Sequence, residues 1–384
     1  MLSLTTWFSA TAIMPELIVA LGLTPAEASW LTNAVQAGFV VGALTSSVLA
    51  LADIWRLTAL MTVACLAAAV LNALLLVAPS AWIAIALRFA TGASLALIYP
   101  PAMKFIATWF RTGRGLAMGV MVGALTLGSA MPHLVRGLGQ GLDWRIVIMT
   151  SSVGALIAAG IFTFAVREGP FAFARATVDL GQIGAVLRDR PVMLANFGYF
   201  GHMWELYAMW GWFLVYCTAA QTEGLEFANA SLLSFAVIAM GMPGCIFCGW
   251  LADRIGRCLA TSLMMLLSAS AALAIGFAFD GPFWLFAMIA LVWGFTIVAD
   301  SAQFSAAVSE LADQRLVGSS LALQMGIGFA LTIFVIWLTP IVADILGGWR
   351  WTFLLLVPGP IVGIAAMLAL RRDPRSVKLA DGRR

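Results

Sequence analysis

The sequence predicts an all-α membrane protein with twelve transmembrane helices in two six-helix bundles. Three observations carry this expectation. The 384 residues are 62% hydrophobic and 10% charged, with a mean hydropathy of +0.99. A soluble domain carries about 25% charge, so the solvent for this surface must be lipid. Apolar runs long enough to cross a bilayer recur twelve times. The two halves also share sequence landmarks at a nearly constant offset.

The runs fall near 2–21, 28–50, 58–77, 81–107, 115–136 and 145–166, then 191–217, 228–250, 259–279, 283–308, 317–340 and 350–370. Polar, Gly or Pro breaks separate them. The first run has no basic residues ahead of it, so it reads as a retained span rather than a signal peptide. The fourth should kink at Pro100-Pro101. The longest polar insertion, REGPFAFARATVDLGQIGAVLRDR, divides six spans from six. The expected organisation is an N-terminal bundle over 1–166, a cytoplasmic linker over 167–190, a C-terminal bundle over 191–370 and a cytoplasmic tail over 371–384.

Basic residues orient the chain. With the linker, the even-to-odd loops and the tail in the cytoplasm, that side holds 16 of the 21 Lys and Arg residues. They are Arg56, Arg111, Arg114, Arg167, Arg175, Arg188, Arg190, Arg254, Arg257, Arg315, Arg371, Arg372, Arg375, Lys378, Arg383 and Arg384. The opposite side keeps Arg136, Arg145 and Arg350, while Arg88 and Lys104 lie inside spans. Both termini are therefore expected in the cytoplasm of an inner or plasma membrane.

LADIWR begins at Leu51 and LADRIGR at Leu251, each after the second span of its half. GLDWRIVIM (141–149) and GGWRWTFLL (347–355) each open a sixth span, and REGP (167–170) and RRDP (371–374) each follow one. GLAMGVMVG (115–123) matches GSSLALQMG (318–326) in its glycines and apolar pattern. Repeated six-helix halves are a transporter design, with the solute site near mid-membrane.

The segment Gly249-Trp-Leu-Ala-Asp253-Arg254-Ile-Gly256-Arg257 resembles the signature loop of the major facilitator superfamily, G-x-L-a-D-r-x-G-r, at its usual place between the eighth and ninth spans. The first-half copy keeps Asp53 and Arg56 but lacks both glycines. The resemblance implies a gate at the cytoplasmic face formed by Asp53, Arg56, Gly249, Asp253, Arg254, Gly256 and Arg257. Arg88-Phe-Ala-Thr-Gly92 resembles the R-x-x-x-G pattern of the fourth span, linked in that family to proton coupling. Drug antiporters of the superfamily carry G-x-x-x-G-P in the fifth span, whereas Ala124 follows Gly123 here, which implies import rather than efflux. Around YPPAMKFIATWF (99–110) the chain loosely resembles the nitrate/nitrite porters, without their dense glycine signatures in spans five and eleven.

Ionisable groups inside spans mark substrate or proton paths. They are Glu16, Arg88, Lys104, His133, His202, Glu205 and Asp300. Six of these seven fall on spans 1, 4, 7 and 10, which line the cavity in the resembled fold. Spans 3, 6, 9 and 12, expected to face lipid, have none in their interiors. Glu205 is the expected proton carrier, with His202 and Asp300 beside it. Arg88 suits an anionic group of the solute. Expected solute contacts are Arg88, Tyr99, Lys104, Asn196, Tyr199, Trp204, Asp300 and Gln303, with Asn33 and Gln36 on one face of span 2.

Cys245-x-x-Cys248 has no second pair or nearby His, so no metal is expected. A P-loop and a G-x-S-x-G elbow are both absent, which argues against ATP hydrolysis and nucleophilic catalysis. No cofactor, nucleic-acid partner or enzymatic role is expected. The partners are the lipid bilayer, a small solute and protons, and the working unit is a monomer. The function expected is secondary active transport of an anionic or zwitterionic solute by proton symport. Proton-driven efflux is the alternative within the class, and a transport-dead sensor or scaffold the alternative outside it.

Overall fold

A computed structural model describes residues 1–110, 114–139, 143–171, 183–313 and 315–383. Arg111, Arg175, Arg384 and the side chains of Asp53 and Arg114 lie outside the described residues. No strand occurs among the described residues.

The first apolar run is not one helix. It comprises 3-10 turns at Leu2–Thr6 and Thr11–Ile13, then α1 (Met14–Leu21). Hydroxyls explain the break. Thr5, Thr6 and Ser9 each donate to the carbonyl three residues back, which competes with the α-helical ladder. α2 (Pro25–Val48) starts at a capping box between Thr24 and Glu27. α3 (Leu51–Ile54), α4 (Leu57–Ala73) and α5 (Ala81–Ala96) follow, then α6 (Tyr99–Ala107), α7 (Arg114–Leu138) and α8 (Arg145–Phe164). The fourth span breaks just ahead of its prolines. α5 ends at Ala96, and Pro100-Pro101 open α6, where missing N–H groups cost nothing.

The second half holds α9 (Ile183–Arg188), α10 (Arg190–Thr222), α11 (Ala230–Ala239), α12 (Gly241–Ile255) and α13 (Arg257–Ala274). α14 (Phe283–Ile297), α15 (Ser301–Leu311), α16 (Val317–Ile345) and α17 (Pro358–Arg372) complete it. Ten of the predicted spans are long and apolar enough to cross a membrane. The other two are the broken first run and α10, which at 33 residues is long enough but is diluted by Asn196, His202 and Glu205.

Two compact units emerge. One comprises Met1–Thr112, Leu127–Arg175 and Asn229–Phe235; the other comprises Gly113–Thr126, Ala176–Ala228 and Ala236–Arg384.

In the first unit, α2 and α5 meet backbone to backbone. A Cβ at Gly38 would stand 1.8 Å from the Phe89 carbonyl oxygen, and one at Gly92 would stand 2.0 Å from that of Val35. Small residues permit such approach between membrane helices. The Glu168 carboxylate accepts from the Leu57 N–H at 2.7 Å and so caps α4. Outside the spans, the Asp143 carboxyl accepts from the Arg145 N–H and guanidinium, which hold it below the usual carboxylate range.

In the second unit, the residues after α17 form a 3-10 strap, Pro374–Gly382. The Arg375 guanidinium donates to both oxygens of Asp189 at 2.8 and 3.0 Å and to the Leu311 carbonyl at 2.8 Å. The Ala380 N–H donates to Glu310 at 3.1 Å, and Leu379 is fully buried.

Candidate functional site

The polar residues expected to work together separate into two groups, one in each unit. In the second unit, Glu205 lies on α10, 2% exposed. Its Oε1 accepts from the Ser268 hydroxyl of α13 at 2.7 Å and the Trp293 indole N–H of α14 at 2.6 Å. Both donors are neutral, so the carboxyl can gain or lose a proton without breaking an ion pair. Three residues earlier on α10, His202 Nδ1 lies 2.9 Å from Asp300 Oδ1. Asp300 is the N-cap of α15, where the chain breaks after α14. Tyr199 and Phe304 pack beside the His202 ring at centroid distances of 5.9 and 5.6 Å.

An amide chain runs nearby. The Ser305 hydroxyl donates to Gln324 Oε1 at 3.0 Å, and Gln324 Nε2 donates to Asn196 Oδ1 at 3.1 Å. Gln303 accepts from Arg257 Nη1 at 2.6 Å. Trp204, expected as an aromatic wall of the solute site, donates to the Leu355 carbonyl at 2.9 Å and packs beside Phe334. It pins α10 to the twelfth span.

In the first unit, Arg88 is fully buried. Its Nη1 donates to the Thr6 carbonyl at 2.8 Å, and to Ser9 Oγ and Asn72 Oδ1, both at 3.3 Å. Its Nη2 donates to the Trp7 carbonyl. The guanidinium therefore braces the broken first span. Asn72 completes the knot: it accepts from Ser9 Oγ at 2.6 Å and donates to Ser152 Oγ at 3.0 Å. Lys104 Nζ donates to the Ala52 carbonyl at 3.0 Å. Tyr99 is the first residue of α6 and is half-buried. Glu16 pairs with Arg136. Asn33, Gln36 and His133 are fully buried, and neither their amide atoms nor the imidazole nitrogens have a hydrogen-bond partner among the described residues. Leaving such a group unpaired costs about 1–3 kcal/mol.

Spans 3, 6 and 9, expected to face lipid and to hold no ionisable groups in their interiors, contribute uncharged polar side chains. Asn72 of span 3, Ser152 of span 6 and Ser268 of span 9 turn inward and supply bonds to Arg88, Asn72 and Glu205 respectively. They escaped notice because uncharged residues carry a weaker signal than ionisable ones. Trp293 and Glu310 were missed for a related reason: Trp is common in spans, and Glu310 stands at a helix end.

At the signature loop, Gly256 takes φ +89°, a conformation open to glycine, and turns the chain from α12 into α13. Arg254 stacks over the Trp250 ring at 4.1 Å. Arg257 donates from Nε to Glu310 Oε2 at 2.8 Å and from Nη2 to Oε1, a bidentate pair closed within its own unit. Arg56 is exposed at the start of α4. Arg257→Gln should destabilise the purified protein by about 1–3 kcal/mol, less than the roughly 3–5 kcal/mol of a fully buried broken pair. Glu310 keeps 30% of its side chain exposed, which limits the cost. Thermal unfolding in detergent checks this, and an Arg257→Glu/Glu310→Arg swap should recover part of the loss.

Comparison with known proteins now adds to this geometry. Residues 1–335 match the Major Facilitator Superfamily, and the chain belongs to it. A search of curated protein sequences finds no match. Among solved structures, the fold is similar to the proton:xylose symporter XylE bound to 6-bromo-6-deoxy-D-glucose. That likeness has a TM-score of 0.75 at 13% identity and covers 97% of this chain and 92% of that one. It is also similar to a bacterial homologue of the human lysosomal transporter Spinster, in an inward-facing and occupied conformation. There the TM-score is 0.68 at 12% identity, covering 97% of this chain and 94% of that one. The chain is therefore a multi-pass membrane transporter of the major facilitator fold, built for secondary transport of a small solute by alternating access.

Proposed function

We propose that this protein is a proton-coupled symporter of a small polar solute, working as a monomer in the inner or plasma membrane with both termini in the cytoplasm. One observation carries the reading: a buried carboxyl, Glu205, is held only by the neutral donors Ser268 and Trp293, one helical turn from the His202–Asp300 pair. A carboxyl so placed can cycle its proton, and its loading can be felt through α10 by His202 and, across the pair, by the helix break at Asp300. The resemblance to a proton:xylose symporter agrees with this. The positive-inside distribution supports the orientation.

An anionic or zwitterionic solute was expected because Arg88 and Lys104 lie inside spans. Both now bond to main-chain carbonyls, so the observations favour a solute that needs no full positive charge to hold it.

The test uses proteoliposomes loaded with a pH-sensitive dye and challenged with pentoses, hexoses, amino acids and short organic acids. The true solute should drive proton entry in the wild type. Glu205→Gln should lower pH-gradient-driven accumulation about tenfold or more while solute exchange at equal pH persists. Wild-type proton dependence in that variant would remove Glu205 from the role.

A further inference from the structure

We infer that the first unit carries a solute subsite for a neutral, multiply hydroxylated molecule, formed by Asn33 and Gln36 of α2 with Ser129 and His133 of α7. The inference rests on the transporter reading above and names the chemistry of the solute.

The four side chains are at most 1% exposed. Both amide groups, both imidazole nitrogens and the Ser129 hydroxyl have no hydrogen-bond partner among the described residues. Such a concentration of unmet polar atoms is unusual, since buried polar side chains are nearly always bonded. The second unit shows the ordinary case, where Asn196, Gln324 and Ser305 satisfy one another.

Both helices are also anchored to the same span. α2 is fixed to the first span by the Thr11–Thr32 hydroxyl bond and by the Trp7–Phe39 ring contact at 4.9 Å. Asn33 and Gln36 fall between these anchors. α7 is fixed to the same span where Gly128 meets Met1 and Leu4, and where Arg136 pairs with Glu16. Ser129 and His133, one turn apart, fall between those anchors. Both pairs thus lie between anchors that bracket residues 7–10, where the first span is not helical. Interrupted helices mark binding sites in transporters of this architecture.

The chemistry then selects the solute. The charged groups of this unit's membrane interior are largely committed: Arg88 to the Thr6 and Trp7 carbonyls, with only its Nε unmet, Lys104 to the Ala52 carbonyl, and Glu16 to Arg136, with its Oε2 unmet. The side chains of α2 and α7 left unmet are two carboxamides, an imidazole and a hydroxyl. Each can donate and accept, as can each hydroxyl of a sugar or polyol. A carboxylate would find only Arg88, already held by two carbonyls, and an ammonium ion only Glu16, already paired with Arg136.

The test is a thermal-shift titration of the purified full-length chain with D-xylose, D-glucose, myo-inositol, lactate and glycine. A neutral polyol should raise the melting temperature, and lactate and glycine should not. Asn33→Leu and Gln36→Leu should each weaken polyol binding about tenfold. The unliganded variants should melt no lower than wild type, because an unmet amide has been replaced by an apolar side chain. Ser129→Ala and His133→Phe provide the same reading from α7. The inference is overturned if no neutral polyol stabilises the protein, if polyol binding survives these substitutions, or if the unliganded variants melt lower as structural residues would. Glu205→Gln keeps the two proposals apart: polyol binding that persists while proton entry is lost supports both. Unaltered proton dependence in Glu205→Gln, alongside binding loss in Gln36→Leu, sinks only the coupling role.

Discussion

Arg88→Leu should prevent the first span from holding its shape. The substitution removes charge-assisted donors to the Thr6 and Trp7 carbonyls and leaves Asn72 and Ser9 without their central partner. Bonds to a charged donor contribute about 1.5–3 kcal/mol each, and no water at this depth replaces them. The expected loss is about 3–5 kcal/mol, seen as a lost monodisperse peak in size-exclusion chromatography of a fluorescent fusion. Arg88→Lys should not rescue it, since one ammonium cannot reproduce the planar fork that reaches two carbonyls. If Arg88→Leu elutes and melts like wild type but loses binding of an anionic solute, the bracing role is wrong and the anion-holding role expected from sequence stands.

The second large effect falls on the α2–α5 seam. Gly38→Val and Gly92→Val each drive a side chain into a main-chain carbonyl that belongs to the facing helix, with Cβ contacts of 1.8 and 2.0 Å. No side-chain rotation relieves a clash with backbone, so the helices must part. The cost should reach about 3 kcal/mol or more, the upper range for overpacking. Limited proteolysis of the purified variants should show early cleavage in the first half. Gly160→Ala on α8 is the control, because an added Cβ there meets nothing within 4 Å. Equal protease resistance of Gly92→Val and Gly160→Ala would refute the close approach.

Much of this architecture was legible because membrane helices must be long and apolar, and those features are local. Twelve runs could be counted, and Pro100-Pro101 announced a break. The break at Val298–Asp300 had no such sign, since no proline or glycine stands there. Nor did the fragmentation of the first span, which depends on three hydroxyls choosing nearby carbonyls over solvent or neighbours. Glu205, His202 and Asp300 stood out because charges in lipid are costly. Their pairing did not, since spacing along one helix says nothing of which neighbour supplies Ser268 or Trp293. Arg88 shows the limit best. Its rarity at that depth was visible at once, but whether it faces solute or carbonyls depends on backbone atoms of a span 82 residues away.

The strap after α17 bears on how the molecule is made. Asp189, at the start of α10, finds the Arg375 guanidinium only 186 residues later in the chain. Domains emerge from the ribosome at about 5–20 residues per second, so α10 waits tens of seconds, with its first turn unclamped, for Arg375 to be made. Late in that interval the second half has all its membrane helices but no closure at this end. Its closure therefore follows the synthesis of all its membrane helices, and a chain interrupted between α17 and Arg375 would leave an inserted bundle with an open base.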